Sequence, residues 1–242
     1  MNIYQLLLRD TLAGKKKFAV LIDPDKYSVD TLSRVVKLAV AAGVDYFFVG
    51  GSLLIHDNQT ALINYIKEYT DIPVVLFPGN NMQLCNEADS ILLLSLISGR
   101  NPDMLIGRHV ISAPYLKASN LEILATGYLL IDSGRTTAVT YMSNTTPIPS
   151  HKSDIAACTA MAGEMLGMKL IYLDAGSGAE KTVPTSMISS VKRSIGLPLI
   201  IGGGITTPEL ANAAFEAGAD IIVVGNAIEN DPDLITRIGA IK

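Results

Sequence analysis

The sequence predicts an α/β protein, a modified TIM (β/α)₈ barrel that forms one domain over residues 1–242. Short, nearly continuous apolar runs alternate with segments of helical period, which is typical of a parallel sheet covered by helices. Eight such runs are present, and 242 residues is an ordinary length for one barrel. The last three runs end in glycine- or acid-bearing turns, as expected where a barrel binds phosphate after strands 7 and 8. A doubly wound open sheet is the alternative.

The first half of the chain contains four of the predicted strands, at residues 18–24, 45–51, 72–79 and 90–98. Helical spacing predicts helices over 29–42 and 61–69, and a helix over 104–116 that is broken by flanking prolines. Residues 80–89 are too few and too polar for a helix. We therefore expect the third helix of the barrel to be missing or replaced by a loop.

The second half contains a strand over 127–134 and the three runs with conspicuous turns, at residues 170–178, 197–205 and 221–228. Residues 136–150 have no helical period and contain two prolines, so they are predicted to form a long loop. The remaining helices are predicted at residues 154–166, 184–194, 208–217 and 232–240.

The composition limits the classes of function that this protein can have. The net charge is −4 and no long basic run is present, which argues against a nucleic-acid partner. Charged residues make up only 17% of the chain and mean hydropathy is +0.35, so we expect part of the surface to be buried in a homo-oligomer, a dimer or a hexamer. The longest apolar runs, such as 91–97, are too short to span a membrane.

The cysteines and the N-terminus predict a cytoplasmic protein. Cys85 and Cys158 lie far apart in sequence and have no CxxC spacing, as expected of reduced thiols. The first ten residues lack the charged and apolar regions of a signal peptide.

Two polar residues follow the first two strands. Asp23 comes after strand 1 and Ser52 after strand 2, so a carboxylate and a hydroxyl meet at the mouth of a barrel. Such oxygen ligands suit Mg²⁺ bound to a diphosphate. The alternative is that both segments are simple turns.

The run 170–178 places a phenol and a carboxylate on one side of a strand. Tyr172 and Asp174 alternate with buried residues, and Asp174 is a candidate base towards a hydroxyl. Gly176, Ser177 and Gly178 follow as candidate hydrogen-bond donors to phosphate. The alternative for Asp174 is a structural helix-cap residue.

The turns after strands 7 and 8 expose backbone N–H groups. Gly203 and Gly204 follow one strand, and Gly225 and Asn226 follow the next. A side chain at Gly204 is expected to occupy the space that a phosphate needs. The alternative is that these glycines serve tight strand–helix corners. The three histidines, His56, His109 and His151, have no metal-ligand spacing and are interpreted as structural or solvent-facing.

With these segments in order, the chain resembles the geranylgeranylglyceryl phosphate synthase family, which includes the PcrB-like proteins, and it resembles the archaeal-type branch that has bacterial members. The resemblance spans nearly the whole chain. The matching segments are LIDPDK (21–26), FVGGS (48–52), LFPG (76–79), YLDAGSGA (172–179), IGGGI (201–205) and VVGNAIE (223–229).

The resemblance implies a modified TIM barrel that transfers a geranylgeranyl or similar prenyl group from a prenyl diphosphate to the C3 hydroxyl of sn-glycerol 1-phosphate. It implies Mg²⁺ bound through Asp23 and Ser52. It implies that glycerol phosphate contacts Tyr172, Leu173, Asp174, Ala175, Gly176, Ser177, Gly178, Gly203, Gly204, Gly225 and Asn226, with Tyr172 stabilising an allylic cation and Asp174 taking the proton. The family often has Glu at the position of Asp174, and this chain has no Trp to end a prenyl groove.

Two other functions are compatible with the phosphate-binding turns. A sugar-phosphate isomerase or aldolase barrel needs the same turns, although no lysine ends a strand as a Schiff base requires. A barrel that only binds a phosphorylated ligand needs neither metal candidate nor Asp174.

Overall fold

The chain forms a closed barrel of eight parallel strands in a computed structural model that describes residues 2–56 and 58–242. The strands are β1 (Lys17–Ile22), β2 (Tyr46–Val49), β3 (Val74–Leu76), β4 (Ser90–Leu96), β5 (Glu122–Leu130), β6 (Leu170–Asp174), β7 (Leu199–Gly202) and β8 (Ile221–Val224). Strand β1 pairs with β8 from Lys17 opposite Ile221 to Val20 opposite Val224. This closure confirms the barrel and excludes the open sheet.

Helices alternate with these strands. They are α1 (Ile3–Leu12), α2 (Val29–Ala41), α3 (Gln59–Tyr69), α4 (Arg108–Ala118), α5 (Ala138–Ser143), α6 (Ser153–Met165), α7 (Thr185–Ser194), α8 (Pro208–Glu216), α9 (Asn226–Asn230) and α10 (Leu234–Gly239). A π-helical turn, Asp103–Gly107, leads directly into α4. Within residues 2–56 and 58–242, no helix has the length and hydropathy that crossing a membrane requires.

The third helix of the barrel is replaced by turns, as predicted. Residues 77–89, all of them described, connect β3 to β4 without a helix. Gln83 ties this segment to the β2 loop, because its side chain accepts a hydrogen bond from the Gly79 amide (3.0 Å) and donates one to the Gly51 carbonyl (3.0 Å). A Cβ at Gly79 would lie 2.3 Å from the Gly51 oxygen, so only glycine permits this close approach.

Strand β5 begins five residues before the predicted strand over 127–134 and ends at Leu130. The prediction was wrong because Glu122 and Thr126 interrupt the apolar pattern. Both have hydrogen-bond partners: Glu122 accepts hydrogen bonds from helix α1, and the Thr126 hydroxyl donates to the Leu124 carbonyl (2.8 Å). Because these hydrogen-bonded polar residues interrupt the apolar run, the sequence pattern missed the first five residues of the strand.

The segment 136–150, predicted as a loop, contains helix α5. The helix follows Thr137 in an extended conformation and ends at Asn144, whose φ of 49° lies in the left-handed region. Its six residues are too few to show a clear helical period, which is why the sequence pattern missed it.

Helix α1, which was not predicted, packs against the barrel interior. Ile3 and Leu7 belong to the interior apolar cluster, together with residues of the strands. The Glu122 carboxylate accepts hydrogen bonds from the amides of Ile3 (2.6 Å) and Tyr4 (3.0 Å). A negative charge at a helix N-terminus is favourable, so Glu122 anchors α1.

A second anchor of α1 is an ionic cluster around Asp10, and it makes stability depend on pH. The Asp10 carboxylate is buried and lies 2.8 Å from Lys17 and 3.1 Å from Arg9. The hydrogen bond from Lys17 is the main cause that lowers the pKa of Asp10 from 3.8 to about 2. The stability that this depressed pKa contributes is present above pH 3.8 and is lost as the pH falls towards 2.

Asp10→Asn is therefore expected to lower the free energy of unfolding at pH 7 by about 1–2 kcal/mol. The difference from the wild type should disappear as the pH falls from 4 towards 2, and urea unfolding across this range measures it. Asp233→Asn is the matched control, since Asp233 pairs with Arg34 at the surface with both side chains 58% exposed. Equal losses in the two variants would contradict the role given to Asp10.

Candidate active site

The C-terminal mouth of the barrel contains a cavity of about 620 Å³. It brings together the loops that follow the strands, and with them most of the residues singled out from the sequence. Those that line it are Asp23, Ser52, Tyr172, Asp174, Gly176, Ser177, Gly178, Gly203, Gly204, Gly225 and Asn226.

Two residues of the predicted set, Leu173 and Ala175, turn their side chains away from the cavity. Both belong to the apolar core between strands and helices, as alternation along β6 requires. The amide of Ala175 donates to the Gly202 carbonyl (3.0 Å). The side chains of Leu173 and Ala175 therefore pack in the core and are not part of the cavity surface.

The metal candidate Asp23 begins the loop after β1. Its Oδ1 accepts a hydrogen bond from the Asp25 amide (3.1 Å), and its side chain is 19% exposed. A Cβ built on Gly51 would lie 3.2 Å from Asp23 Oδ2, so this carboxylate lies directly against the β2 loop that contains Ser52. The loop geometry brings the two predicted ligands into one corner of the cavity.

The donor chemistry of this corner fits Mg²⁺ bound together with a substrate. Among the described residues, no group of three or more His, Cys, Asp or Glu side chains could hold a metal alone. Mg²⁺ commonly uses one or two carboxylates and completes its shell with water and phosphate oxygens. A carboxylate and a hydroxyl facing an open cavity match that pattern.

The neighbouring residue Asp25 has a positioning role that the sequence did not reveal. Its carboxylate accepts hydrogen bonds from the amides of Ile55 (2.6 Å) and His56 (3.1 Å). The bond from Ile55 is the main cause that holds the pKa of Asp25 below its usual value. Asp25 therefore fastens the β2 loop to the β1 loop beside Ser52.

Lys26 completes the β1 loop and also lines the cavity. Its ammonium lies 3.0 and 3.1 Å from the two carboxylate oxygens of Glu229, in the β8 loop, and 3.6 Å from Asp23 Oδ2. Neither Lys26 nor Glu229 was selected from the sequence as a site residue, although both lie in the matching segments LIDPDK and VVGNAIE.

Asp174 lies at the base of the cavity and is 6% exposed. Its Oδ2 accepts a hydrogen bond from the Tyr128 hydroxyl, and its Oδ1 accepts one from the Gly176 amide (2.8 Å). Burial raises the pKa of Asp174, and the two hydrogen bonds partly offset this effect. A buried carboxylate with a raised pKa suits a base, while the Gly176 bond is what a turn-capping residue makes.

Three aromatic rings form a platform beside Asp174. Phe77 and Tyr172 stack with ring centres 5.3 Å apart, and Tyr128 meets Tyr172 edge-on at 5.4 Å. Burial raises the pKa of both tyrosines well above the ordinary value, so both phenols stay neutral. Such faces attract cations. Tyr128 was missed because its proximity to Tyr172 comes from the β5–β6 register, which no sequence pattern encodes.

The glycine turns form a polar cradle beside this platform. The Ser177 hydroxyl donates to the Asn226 side chain (2.7 Å), which joins the β6 and β8 loops. Gly203 and Gly204 have φ values of 82° and 71°. A Cβ at Gly204 would lie 3.0 Å from the backbone of Lys181, so the expectation that it would fill the phosphate's space is wrong. It would press on the β6 loop instead.

The opposite end of the cavity is apolar. Its lining there includes Leu84, Leu94, Met104, Leu116 and Val139. His109, interpreted from the sequence as structural or solvent-facing, also lines this end, and its Nδ1 is buried without a hydrogen-bond partner among the described residues. Burial lowers the pKa of His109, which favours the neutral ring. Arg108, which lines the cavity as well, donates to the Gly79 carbonyl (2.7 Å). One cavity thus joins a polar cradle to an apolar groove.

Comparison with known proteins identifies relatives over the whole chain. The chain is 53% identical over 236 residues to the geranylgeranylglyceryl phosphate synthase of Spirosoma linguale, covering 97% of this chain and 95% of that protein. It is 54% identical over 237 residues to the protein of the same name from Chitinophaga pinensis, covering 98% and 94%.

A solved structure shares the fold closely. It is the crystal structure of (S)-3-O-geranylgeranylglyceryl phosphate synthase from Thermoplasma acidophilum in complex with its substrate sn-glycerol-1-phosphate. The TM-score is 0.93 at 33% identity, with 100% of this chain and 97% of that chain covered. The profile of the PcrB family matches residues 12–242. The chain therefore belongs to the PcrB family.

Proposed function

We propose that this protein is a Mg²⁺-dependent prenyltransferase that joins a geranylgeranyl or similar prenyl group to the C3 hydroxyl of sn-glycerol 1-phosphate. The observation that supports it most is the cavity itself, where a glycine-lined cradle, a buried carboxylate and an apolar groove meet. The names of the relatives and the ligand of the Thermoplasma structure agree with this assignment.

The glycerol phosphate occupies the polar cradle in this proposal. Backbone amides of the turns at 176–178, 203–204 and 225–226 face the phosphate, and the bond between Ser177 and Asn226 keeps two of these turns together. The C3 hydroxyl then points towards Asp174, the last residue of β6, which leads into the first of these turns. Fixing the acceptor in this way supplies much of the rate enhancement through orientation.

The prenyl diphosphate occupies the other parts of the cavity. Its chain lies among the apolar residues of the groove and its diphosphate lies near Asp23 and Ser52. These two residues would hold Mg²⁺, which when bound supplies positive charge to the departing diphosphate. The aromatic faces of Tyr172 and Phe77 lie where positive charge develops on the allylic carbon.

The reaction exchanges one carbon–oxygen bond for another. The bond between the prenyl C1 and the diphosphate oxygen breaks, and the C3 oxygen of glycerol phosphate forms a bond to the same carbon. The proton of that hydroxyl passes to the carboxylate of Asp174, and diphosphate leaves. The raised pKa of Asp174 favours this transfer, because a base with a higher pKa takes up a proton more readily.

The direct test combines purified protein, Mg²⁺ and labelled glycerol 1-phosphate with prenyl diphosphates of increasing length. We expect a labelled ether product and one preferred length, which also settles the chain length that the absence of Trp leaves open. Turnover of a sugar phosphate without any prenyl donor would favour an isomerase or aldolase instead. Binding of glycerol phosphate without turnover of any donor would favour a non-catalytic barrel.

Gly204→Ala is expected to weaken glycerol phosphate binding about tenfold or more. The new Cβ would press on Lys181 and Thr182 at 3.0 Å, and the residue would have to keep a φ of 71°. The displaced β6 loop is part of the cradle, whereas the apolar groove is remote from it. Calorimetric titration with each ligand measures the effect. Gly14→Ala is the control, since its φ of 69° is as strained but it has open space around it. Equal weakening of both ligands would indicate general damage.

We also propose that the whole chain acts as one domain, in the cytoplasm, and as a homo-oligomer. Four large apolar side chains of the α4 region are exposed: Ile106 (60%), Val110 (66%), Ile111 (58%) and Tyr115 (70%). This exposed apolar patch and the low fraction of charged residues both favour a surface that is buried in an oligomer.

Light scattering at micromolar concentration is expected to give a mass at least twice the 25.8 kDa of one chain. Ile111→Arg should lower that mass, because a charge would then be buried in the interface. Val29→Arg, on α2 and 69% exposed, is the matched control. A wild-type protein that stays a monomer at this concentration would exclude the oligomer.

A further inference from the structure

The side chain of Lys26 lies where two negative charges converge. Asp23, the proposed metal ligand, lies 3.6 Å from its ammonium, and both oxygens of Glu229 lie within 3.1 Å. Asp23 and Glu229 are each 19% exposed, so solvent screens this cluster only in part. One cation therefore stands between two carboxylates at the edge of the cavity.

Of the cavity-lining residues that the structure describes, Lys26 is the one that places a positive charge beside Asp23. Asp25 is engaged with the amides of Ile55 and His56 and is not paired with Lys26. Among the described residues that line the cavity, Arg108 is the other strong cation, and its guanidinium is bound to the Gly79 carbonyl. The positive charge next to Asp23 thus comes from Lys26.

A divalent cation on Asp23 cannot share this place with an ammonium without repulsion. At a few ångströms, two positive charges repel strongly even at the effective dielectric constant of about 20 that suits protein surfaces. A diphosphate removes the conflict, because its negative charge can be shared between metal and lysine. Lysine suits such a move, since its charge sits on a flexible four-carbon stem.

We propose that Lys26 acts as a counter-cation, which pairs with Asp23 and Glu229 in the free protein. When metal and diphosphate bind together, its ammonium pairs with the diphosphate instead. This inference rests on the proposed metal and diphosphate positions. It makes the binding of the two ligands mutually dependent: metal alone binds weakly, diphosphate alone binds weakly, and each strengthens the other by the same factor. The donor substrate is thereby taken up as its metal complex.

The test measures binding and not turnover. Free Mn²⁺ is followed by electron paramagnetic resonance with and without inorganic pyrophosphate, after correction for the complex that the two form without protein. Pyrophosphate affinity at saturating Mn²⁺ is measured by calorimetry. The variants are Lys26→Gln, Lys26→Arg and, as a control, Lys67→Gln, which removes an equally exposed lysine from an ion pair with Asp89.

Lys26→Gln should bind Mn²⁺ alone about three- to tenfold more tightly than the wild type and should bind pyrophosphate with Mn²⁺ about tenfold more weakly. Lys26→Arg should keep the wild-type coupling, and Lys67→Gln should change neither affinity. These opposite shifts are specific, because general damage would weaken both ligands.

Unchanged affinities in a folded Lys26→Gln protein would overturn the counter-cation role and leave the proposed function standing. If the wild type binds neither ligand in any combination, the metal and diphosphate site itself is wrong, and both proposals fall. Weaker binding of Mn²⁺ alone in Lys26→Gln would also overturn the role, because it would mean that Lys26 organises the ligands and does not compete with the metal.

Discussion

Asp23→Asn is expected to abolish prenyl transfer at ordinary Mg²⁺ concentrations, with a loss of at least about 10³-fold in kcat. Asparagine has the size of aspartate and can still accept the hydrogen bond that the Asp25 amide makes to Oδ1. The loop should therefore keep its shape. What is lost is the negative charge, and with it the one carboxylate proposed to bind the metal.

The measurement has two parts, turnover under saturating substrates and Mn²⁺ binding in the presence of pyrophosphate. Both should be lost together, while the melting temperature changes little. Asp25→Asn, in the same loop, is the control that separates a metal ligand from a positioning residue. It should keep metal binding in part, because Asp25 acts through the β2 loop and its amide hydrogen bonds. An Asp23→Asn protein with full activity and one bound metal would remove Asp23 from the site.

Asp174→Asn is expected to lower kcat by about 10²–10⁴-fold while glycerol phosphate binding survives. The amide is not a base, but its oxygen can still accept the hydrogen bond from Gly176. The turn that leads to the phosphate cradle is thus retained. Single-turnover kinetics with both substrates bound measure the chemical step directly, and calorimetry with glycerol phosphate verifies the retained binding.

Two further variants separate a base from a turn residue. Asp174→Glu should keep part of the activity, because it preserves the charge and only extends the side chain by one methylene. Tyr128→Phe removes a hydrogen bond that lowers the pKa of Asp174, so that pKa should rise further. The acid limb of the pH profile of kcat should then move to higher pH. Wild-type turnover by Asp174→Asn would show that the carboxylate only caps the turn.

The barrel was predictable because buried parallel strands leave a clear pattern. The run IIVV is apolar at every position, LIYLD is apolar up to its last residue, Asp174, and a turn ends each of them. The pattern failed where polar groups are satisfied inside an element, as at Thr126 in β5, or where a helix is only six residues long, as in α5. Neither the hydrogen bond between Thr126 and Leu124 nor so short a helix leaves a mark in the apolar pattern.

The residues of the candidate site were also predictable only in part. Asp23, Ser52 and the glycine turns are recognisable because each directly follows a strand, and strand ends meet at one edge of a barrel. Tyr128, Lys26 and Glu229 were missed as site residues, because their positions depend on register and on loops that approach across the barrel mouth. Leu173 and Ala175 were included with their neighbours, whereas alternation turns their side chains to the other layer.

The short loop after β1 also limits which insertions and deletions the sequence can accept during evolution. Within four consecutive residues, Asp23 faces the cavity, Asp25 fastens the β2 loop and Lys26 reaches the β8 loop. Each depends on its distance from the end of β1. Inserting or deleting a single residue here would misplace all three at once, whereas an exchange at one position alters only one of them. We therefore expect few active clones with an insertion or deletion in the segment 23–26 to survive in random insertion and deletion libraries.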